Sequence, residues 1–342
     1  MEERPSVFVH IVTWNSQESI VQCLEMVLAQ EGYTVGENLK VRITDNGSTD
    51  QTIALVEPFI RPGVSLFRNS ENLGFCGGHN QGAHEFLRIG YGSLLVLNPD
   101  VGMGPSCLTQ MVRHLSAEER VGLVTPKLLR ALPSLEAIYP PVLDAAGMEL
   151  TRACRHFDRG AGDWDSGQFD RAEFVFGGTG ACLLISRQCV VDLSIPKTIS
   201  DESVYAIYPQ LRAEASQRTQ LFDEAFFAYR EDADLCWRAR RKHWRCWYEP
   251  RAHAAHVRVV TPERRGSLPA ILNRYSVRNR FLLQLNNWRL RDGVLFFLWG
   301  IVVRNAMVLF GVLLWERSSL EGIREARRLA RRARSIHRWI GS

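Results

Sequence analysis

Apolar residues follow two alternating spacings over the first third of the chain. Short runs that read as buried strands occur at residues 7–12, 41–44, 64–67 and 93–97, and the first of them is apolar and β-branched. Apolar side chains at helical spacing predict a helix over residues 16–30, with Asn15 and Glu18 as its capping box. A second helix is expected to end near Arg88. This alternation predicts an α/β domain with a mostly parallel central sheet flanked by helices.

Polar turns follow three of the predicted strands. They are Thr13-Trp14-Asn15, Asp45-Asn46-Gly47-Ser48 and Asn98-Pro99-Asp100. The carboxyl ends of parallel strands meet at one edge of a sheet, where open α/β sheets bind their ligands. We therefore expect a nucleotide-binding cleft where these turns converge.

The remaining chain changes character twice. Further strands are expected at residues 121–125, 181–185 and 245–248. Residues 187–221 are polar and weakly periodic, and we interpret them as an excursion from the core. A helix opens at Glu231, and past Pro269 the pattern is helical, which predicts a helical C-terminal extension.

Charge separates the C-terminal end from the rest of the protein. The 342 residues are 46% hydrophobic and 23% charged, as in packed globular proteins. The net charge is +5, but residues 317–342 carry eight arginines against Glu321 and Glu325, which leaves 34 basic and 35 acidic side chains in the preceding part. A near-neutral body with a basic tail argues against a nucleic-acid-binding protein and favours contact with an anionic membrane surface.

Cysteine usage and the first residues favour a cytoplasmic protein. The eight cysteines are scattered, with no Cys-x-x-Cys pair and no zinc spacing. Glu2 and Glu3 precede only a short apolar run, which is not typical of a secretion signal. A reducing cytosol is the simplest compartment for such a chain.

Residues 294–315 are apolar except for Arg304 and Asn305. They are long enough to span a bilayer, but a single span would put the body and the arginine tail on opposite sides, against the positive-inside tendency. We therefore expect a kinked or in-plane hydrophobic helix pair, with the arginine helix on the inner leaflet. A buried core helix, a homodimer helix and a true span are the alternatives.

Several carboxylates and one histidine are candidates for chemistry. Asp100 is a candidate ligand of Mg²⁺ or Mn²⁺ on a diphosphate, or simply part of a turn. Asp45 either accepts hydrogen bonds from a nucleoside or initiates a turn. The adjacent pair Glu231-Asp232 is a candidate general base or a helix cap. His256 is a candidate metal ligand or a structural histidine.

A glycine-rich stretch adds a weaker signal. Residues 74–78 would let backbone approach a phosphate, but the stretch lacks the lysine of a P-loop and the G-x-G-x-x-G spacing. A plain loop explains the same residues.

Taken in order, the motifs resemble those of family-2 glycosyltransferases of the GT-A fold, and most closely the rhamnosyltransferase-like branch. The similarity covers roughly residues 6–285. It is carried by the three polar turns above, by Asn72-Leu73-Gly74-Phe75 and Gly77-Gly78-His79-Asn80, and by Phe222-Asp223-Glu224-Ala225-Phe226-Phe227 leading to Glu231-Asp232-Ala233-Asp234.

The resemblance implies roles for the matching positions. Asp232, with Glu231 beside it, matches the catalytic base, and Asp100 and His256 match the ligands of the divalent cation. Substrate contacts fall on Thr13, Asn15, Asp45, Asn72, Gly74, Asn80, Asn98 and Arg278. Asn98 stands where the family has the first acidic residue of an Asp-x-Asp motif, which leaves fewer charges on the metal.

The activity that the resemblance implies is sugar transfer with inversion from a nucleoside diphosphate, with dTDP-rhamnose as the donor, to a glycan or lipid-linked acceptor. It implies a GT-A domain over residues 1–285, with a nucleotide half to about 125 and an acceptor half from 126, and a membrane-associating extension over 286–342. The alternatives are a nucleotidyltransferase, whose glycine-rich loop is missing after the first strand, and an inactive membrane scaffold.

Overall fold

The computed structural model describes residues 6–116, 118–197, 202–216, 219–258, 269–314, 316 and 319–341. Trp315 and Arg317, which bound the predicted apolar and basic segments, lie outside the described residues. So do residues 198–201 and 217–218 of the predicted excursion.

Within these ranges the chain alternates between strands and helices. The strands are β1 (Val7–Thr13), β2 (Leu39–Asp45), β3 (Val64–Arg68), β4 (Ser93–Leu97), β5 (Val101–Met103), β6 (Val121–Arg130), β7 (Leu143–Ala145), β8 (Met148–Leu150), β9 (His156–Asp158), β10 (Glu173–Val175), β11 (Cys182–Ser186), β12 (Ile195–Pro196), β13 (Thr219–Gln220) and β14 (Arg245–His256).

The α-helices are α1 (Ile20–Leu28), α2 (Thr52–Val56), α3 (Gly74–Ile89), α4 (Cys107–Val112), α5 (Arg187–Leu193), α6 (Glu202–Tyr205), α7 (Glu231–Arg241), α8 (Ala270–Asn287), α9 (Arg304–Leu314) and α10 (Leu320–Gly341). Short 3₁₀ helices occur at Glu57–Phe59, Pro209–Ser216 and Leu290–Asp292, and a π-helix spans Phe296–Val303.

A ten-stranded sheet forms the centre of the molecule. Its main path runs β10-β14-β6-β11-β4-β1-β2-β3, with β5 paired to β14 and β7 to β6. The four strands β3, β2, β1 and β4 are parallel, as predicted. The whole sheet is mixed, because β11 runs antiparallel to both β4 and β6. The α/β class is confirmed.

Apolar side chains cover both faces of this sheet. Phe8 belongs to a cluster that also contains residues of α3, α5, α7 and α10, whereas its neighbour Val9 belongs to a second cluster with residues of α1 and α4. Successive residues of a strand point to opposite faces, so the two clusters lie on opposite sides of the sheet. The central strands are therefore buried on both faces.

The predicted capping box is wrong. Helix α1 begins at Ile20 rather than at residue 16, and its N-cap, Ser19, makes no side-chain hydrogen bond. The Asn15 side chain instead accepts a hydrogen bond from the Thr49 N–H at 2.8 Å, because Asn15 takes a left-handed turn, with φ 50°, away from the helix.

The predicted excursion over residues 187–221 is also wrong for its described part. Ser186 caps α5 by accepting from the Cys189 N–H, and Val190, Leu193, Val204 and Leu211 are fully buried. Polar residues interrupt the apolar pattern here because α5, α6 and the 3₁₀ helix each bury only a few side chains. The segment is part of the core.

The C-terminal helix α10 packs on the body as well. Leu329 and Ala333 are buried in the same cluster as Phe8, and Glu325 and Arg332 are buried beside them. The opposite side of α10 exposes Arg324, Arg327, Arg328, Arg331, Arg334 and Arg338. The expected arginine helix therefore has one face in the core and one basic face in solvent.

The apolar segment before it stays largely uncovered. Phe296–Leu314 is a 19-residue helical stretch that is long and apolar enough to cross a membrane, and 11% of its most apolar window is buried. It changes from π-helix to α-helix at Arg304, so the expected irregularity lies near its middle.

All eight cysteines are free and buried. They are spread over both hydrophobic clusters, which is how small apolar side chains pack. Burial raises the pKa of the Cys107 and Cys236 thiols to about 12, so these groups stay protonated at neutral pH.

Candidate active site

A cleft of about 840 Å³ opens at the carboxyl ends of the parallel strands. Its polar lining includes Asn15, Asp50, Asn72, Asn98 and Asp100. Its apolar lining includes Phe75, Phe227, Tyr229, Ile271, Leu272 and Tyr275. The turns after β1 and β4 therefore converge as the sequence indicates, and the start of α8 supplies an apolar wall.

The turn after β1 presents an aromatic ring to this cleft. Trp14 lines it and is 56% exposed. The backbone around it is fixed, because the Asn15 N–H donates to Ser48 Oγ at 2.9 Å and the Ser16 N–H donates to Thr52 Oγ1 at 2.7 Å. An exposed indole on a rigid turn offers a face on which a nucleobase can stack. Trp14 belongs to the predicted turn Thr13-Trp14-Asn15, in which the motif resemblance indicates roles only for Thr13 and Asn15.

Asp45 and Thr13 lie behind the cleft wall and do not line it. Asp45 is 1% exposed and accepts hydrogen bonds from Thr13 Oγ1 and the Ser48 N–H, both at 2.9 Å. Its carboxylate orders the turn after β2, which is the turn role that the sequence left open. Asp50, further along the same turn, lines the cleft instead.

The glycine-rich stretch forms the first turns of α3 and not a phosphate loop. Gly74 lines the cleft with φ 71°, and Asn72 Oδ1 accepts its N–H at 2.8 Å. Gly82 lets the helix approach the His10 ring, where a Cβ would lie at 2.3 Å. Gly78, whose added Cβ would lie 2.8 Å from Val12, and Gly82 therefore serve close packing of α3 on β1.

Asn80 does not reach the cleft. It is 1% exposed, and its amide donates to Phe222 O at 2.9 Å while its carbonyl accepts the Phe222 N–H at 2.9 Å. The expected substrate contact at Asn80 is replaced by a structural one, which ties α3 to the segment before α7.

Asp100 and His256 face each other at the cleft. His256 is the last residue of β14, and its Nε2 lies 3.5 Å from Asp100 Oδ1, a buried oxygen with no hydrogen-bond partner. Asp144 Oδ2 holds the other ring nitrogen, Nδ1, at 2.8 Å. Burial alone would lower the pKa of His256, but the two carboxylates outweigh it and raise that pKa to about 10.

These donors fit a divalent cation only in part. A carboxylate oxygen and an imidazole nitrogen suit Mn²⁺, and the Asp144 contact is the outer hydrogen bond that metal-binding histidines usually make. Among the described residues, however, no group of three or more His, Cys, Asp or Glu side chains could by itself hold a metal ion. A cation here would take its remaining ligands from phosphate or water.

Asp232 lies at the N-terminus of α7, next to the turn that carries Asn98. The Gly180 N–H donates to Asp232 Oδ2 at 3.2 Å, and the Asn98 N–H donates to the carbonyl of the adjacent Ala181 at 2.9 Å. A Cβ on Gly180 would lie 2.9 Å from the Phe75 ring and 3.6 Å from the Asp232 Cβ, so glycine at this position leaves room for the ring. Burial raises the pKa of Asp232, although its backbone hydrogen bonds oppose the shift.

Arg258 is a cation that several acidic side chains of the cleft region share. Its guanidinium contacts Asp158 and lies 3.2 Å from Asp144 Oδ1, and its charge also acts on the Asp232 carboxylate. A positive side chain between two acidic groups of the site was not anticipated from the sequence.

Glu231 and Asp234 differ from Asp232 in their surroundings. Glu231 is 6% exposed, and burial together with the Asp232 charge raises its pKa well above the usual range. Asp234 is fully buried and accepts hydrogen bonds from Arg238 and Asn287 at 2.8 and 2.7 Å. Of the three carboxylates, Asp232 is partly exposed and the other two are buried, and the burial of Glu231 does not favour the catalytic role expected for it.

Arg278 does not face the cleft. It is 0% exposed, and its guanidinium donates to Phe226 O at 2.6 Å and to Tyr208 Oη. The expected phosphate contact is therefore replaced by a contact to the segment just before the base. In that segment Phe227, Tyr229 and Arg230 have φ of 63°, 70° and 71°, conformations that cost on the order of 1–3 kcal/mol each for non-glycine residues.

Comparison with known proteins identifies the N-terminal part of this fold. Residues 8–128 match the family model described as Glycosyl transferase family 2. The matched residues include the parallel strands β1 to β4, whose carboxyl ends form the polar side of the cleft.

Two curated proteins are similar to parts of the chain. An uncharacterized protein of Mycobacterium tuberculosis (strain CDC 1551 / Oshkosh) is 26% identical over 183 residues, 39% of this chain and 56% of that protein. The succinoglycan biosynthesis protein ExoO of Rhizobium meliloti (strain 1021) is 32% identical over 118 residues, 34% of this chain and 32% of that protein. The chain thus spans about half and a third of the length of these relatives.

Solved glycosyltransferase structures share the fold over a larger part of the chain. GalNAc-T7 with UDP, GalNAc and Mn²⁺ aligns with a TM-score of 0.59 and 12% identity, covering 83% of this chain and 48% of its own. The mannosyltransferase PcManGT of Pyrobaculum calidifontis, in complex with GDP-Man and Mn²⁺, aligns at 0.50 with 12% identity, covering 99% and 86%. S. aureus TarS aligns at 0.51 with 14% identity, covering 98% and 90%. These likenesses support the GT-A fold.

The contact between Gly74 and the segment before the base can be tested by stability. A Cβ at Gly74 would lie 2.5 Å from Phe227 O, whereas Gly90, which has a similar φ of 81°, has no heavy atom within 4 Å of its Cβ position. Gly90→Ala should therefore cost only the backbone strain, about 1–2 kcal/mol. Gly74→Ala should cost clearly more in urea unfolding, and equal losses for the two variants would contradict the contact.

Proposed function

We propose that this chain is an inverting glycosyltransferase that transfers a sugar from a nucleoside diphosphate to an acceptor hydroxyl. The observation that supports this most directly is the connection of two carboxylate-bearing segments through Gly180 and Ala181, just before β11. Asp232 accepts from Gly180, and the adjacent Ala181 accepts from Asn98, two residues before Asp100. A carboxylate that can take a proton thus lies beside the group that can hold a diphosphate cation.

Asp232 is the proposed general base. Its Oδ1 accepts the Ala233 N–H at 2.7 Å and its Oδ2 accepts the Gly180 N–H, so the carboxylate is oriented before substrate arrives. Burial raises its pKa, which makes it a stronger base once ionised. In the proposed step, Asp232 takes the acceptor's hydroxyl proton as that oxygen bonds to the anomeric carbon. The bond to the diphosphate breaks on the opposite face, and the diphosphate leaves with the electron pair.

Asp100 and His256 are the proposed holders of Mg²⁺ or Mn²⁺. When bound, the cation would supply positive charge to the departing diphosphate. Asp144 keeps the His256 ring in place through Nδ1, and Arg258 holds Asp144 from its other side. The cation ligands are thereby oriented by residues that themselves need not touch substrate.

The donor is proposed to lie along the polar lining, with its nucleobase against Trp14 and its sugar towards Asn98 and Asp100. The motif resemblance favours dTDP-rhamnose, whereas the compared structures contain UDP or GDP-Man. The acceptor, a cell-envelope glycan or lipid-linked sugar, would enter along the apolar lining. A screen of dTDP, UDP and GDP by thermal shift, with and without Mn²⁺, followed by donor hydrolysis, separates these donors.

Replacing the base should separate binding from turnover. Asp232→Asn keeps the shape and can keep one of the two backbone hydrogen bonds, but it cannot take a proton. We therefore expect kcat to fall by about 10²–10⁴-fold with nucleotide affinity retained. Asp163→Asn, at an exposed carboxylate, is the matched control and should retain full activity. Wild-type turnover in Asp232→Asn would refute the assignment. Nucleotide binding by the wild type without turnover of any sugar donor would favour the scaffold alternative.

Removing Asp100 should affect the metal-dependent part of binding. In Asp100→Ala the cation loses its carboxylate ligand, so the gain in nucleoside diphosphate affinity on adding Mn²⁺ should largely disappear. Isothermal titration with Mn²⁺ and with EDTA measures that gain. A wild-type Mn²⁺ dependence in this variant would contradict the proposed site.

The protein is further proposed to act in the cytoplasm at the inner face of the cell membrane. Two surfaces support this, the exposed arginine face of α10 and the uncovered apolar helix Phe296–Leu314. Basic residues near an anionic leaflet contribute about 1 kcal/mol each, and an amphipathic or apolar helix adds hydrophobic insertion.

Vesicle sedimentation tests this location. Replacing Arg324, Arg328 and Arg331 by serine should weaken binding to vesicles containing phosphatidylglycerol by about 100-fold, with little change on neutral vesicles. A control with the same charge change, at the exposed residues Arg61, Arg88 and Arg113, should bind like the wild type. Equal binding of all three proteins, or a homodimer in place of vesicle binding, would contradict the proposal.

A further inference from the structure

The segment from Phe226 to Arg230 leads directly to the proposed base, Asp232, and has an unfavourable backbone. Phe227, Tyr229 and Arg230 are left-handed, and Glu231 and Asp232 follow directly. A run of this kind persists only where neighbouring groups hold it. Its hydrogen-bond partners therefore decide where the Asp232 carboxylate lies.

Helix α8 supplies most of those partners through one amide. Asn279 Nδ2 lies 3.0 Å from Phe226 O, 2.8 Å from Ala228 O and 2.7 Å from Tyr229 O. The Asn279 side-chain carbonyl accepts a hydrogen bond from Arg278 Nε at 2.8 Å, which fixes the orientation of the amide. One buried side chain thus gathers three carbonyls of the left-handed segment.

Helix α10 holds this arrangement from behind. Glu325 is 1% exposed, contacts Arg274 and lies 3.4 Å from Arg278 Nη1. About two turns further along α10, Arg332 is 4% exposed and pairs with Asp223, which also accepts a hydrogen bond from Asn286 at 3.0 Å. Glu325 thereby contacts two arginines of α8 close to Asn279, and Arg332 contacts Asp223, just before the Phe226–Arg230 segment.

We propose that α10 completes the active site, with Glu325 and Arg332 as positioning residues that act on Asp232 through α8 and the Phe226–Arg230 segment. This rests on the proposed function only for the role of Asp232 itself. A buried ion pair that loses one partner leaves an uncompensated charge, so the segment would relax rather than keep its conformation. A displacement of about 1 Å at a reacting group costs about 100-fold in rate.

Two glutamates of the same helix give a matched test in the full-length protein. Glu325→Gln removes the buried charge, whereas Glu321→Gln, one turn earlier, removes a charge whose side chain is 35% exposed and pairs with the exposed Arg324 and Arg328 at 3.2 and 4.0 Å. Glu325→Gln should lower kcat by about 10- to 100-fold with the donor KM and nucleotide affinity within about twofold of wild type. Glu321→Gln should match the wild type in all three.

Hydrogen exchange gives a readout that does not depend on catalysis. In Glu325→Gln, and in the isosteric Asn279→Asp, the amides of residues 226–232 should exchange faster while those of the central strands stay protected. The proposal would be overturned if Glu325→Gln matched Glu321→Gln both in kcat and in the exchange rates of residues 226–232. Faster exchange over the whole chain in Glu325→Gln would also overturn it. If the wild type transfers no sugar, the proposed function fails while the exchange comparison still decides the positioning role.

Discussion

The left-handed backbone of Phe227, Tyr229 and Arg230 persists because groups distant in the chain converge on it. Gly74, at the start of α3, leaves room for the Phe227 carbonyl, and Cys76 N–H donates to that carbonyl at 3.1 Å. From the other side, Asn279 holds the carbonyls around it. The segment is thus the joint between the nucleotide side of the cleft and the helices that follow, and the position of the candidate base is set by both.

The same region explains why the C-terminal helices are hard to separate from the catalytic body. Arg332 pairs with Asp223. Asn286 donates to both Asp223 and Asp234, and Asn287 donates to Asp234. All of these side chains are buried. Buried polar networks of this kind stabilise one arrangement strongly, because any unpaired member is costly. A division of the chain into a catalytic domain ending at residue 285 and an appended extension does not match this network, since α10 contributes to the main hydrophobic cluster.

The parts of the fold that depend on neighbouring residues were predictable from the sequence, and the parts that depend on distant ones were not. Buried β-branched runs define β1, β2 and β4 locally, and the strand ends bring Asn15, Asn98 and Asp100 to one cleft. Asn80 and Phe222 pair across 142 positions, and Asp144 and His256 across 112, so no local pattern marks either contact. Arg278 resembles a ligand-binding arginine in sequence, and only its complete burial reveals its structural role.

The burial of all eight thiols has a practical consequence for spectroscopy. Because maleimides and nitroxide reagents attack accessible thiolates, the native cysteines should remain unlabelled in the folded protein. A single cysteine placed at an exposed position, such as Leu290 at 85% exposure just before the apolar helix, would accept one probe without prior removal of the native thiols. Fluorescence quenching by brominated lipids from such a probe would then report whether that end of the molecule contacts a bilayer.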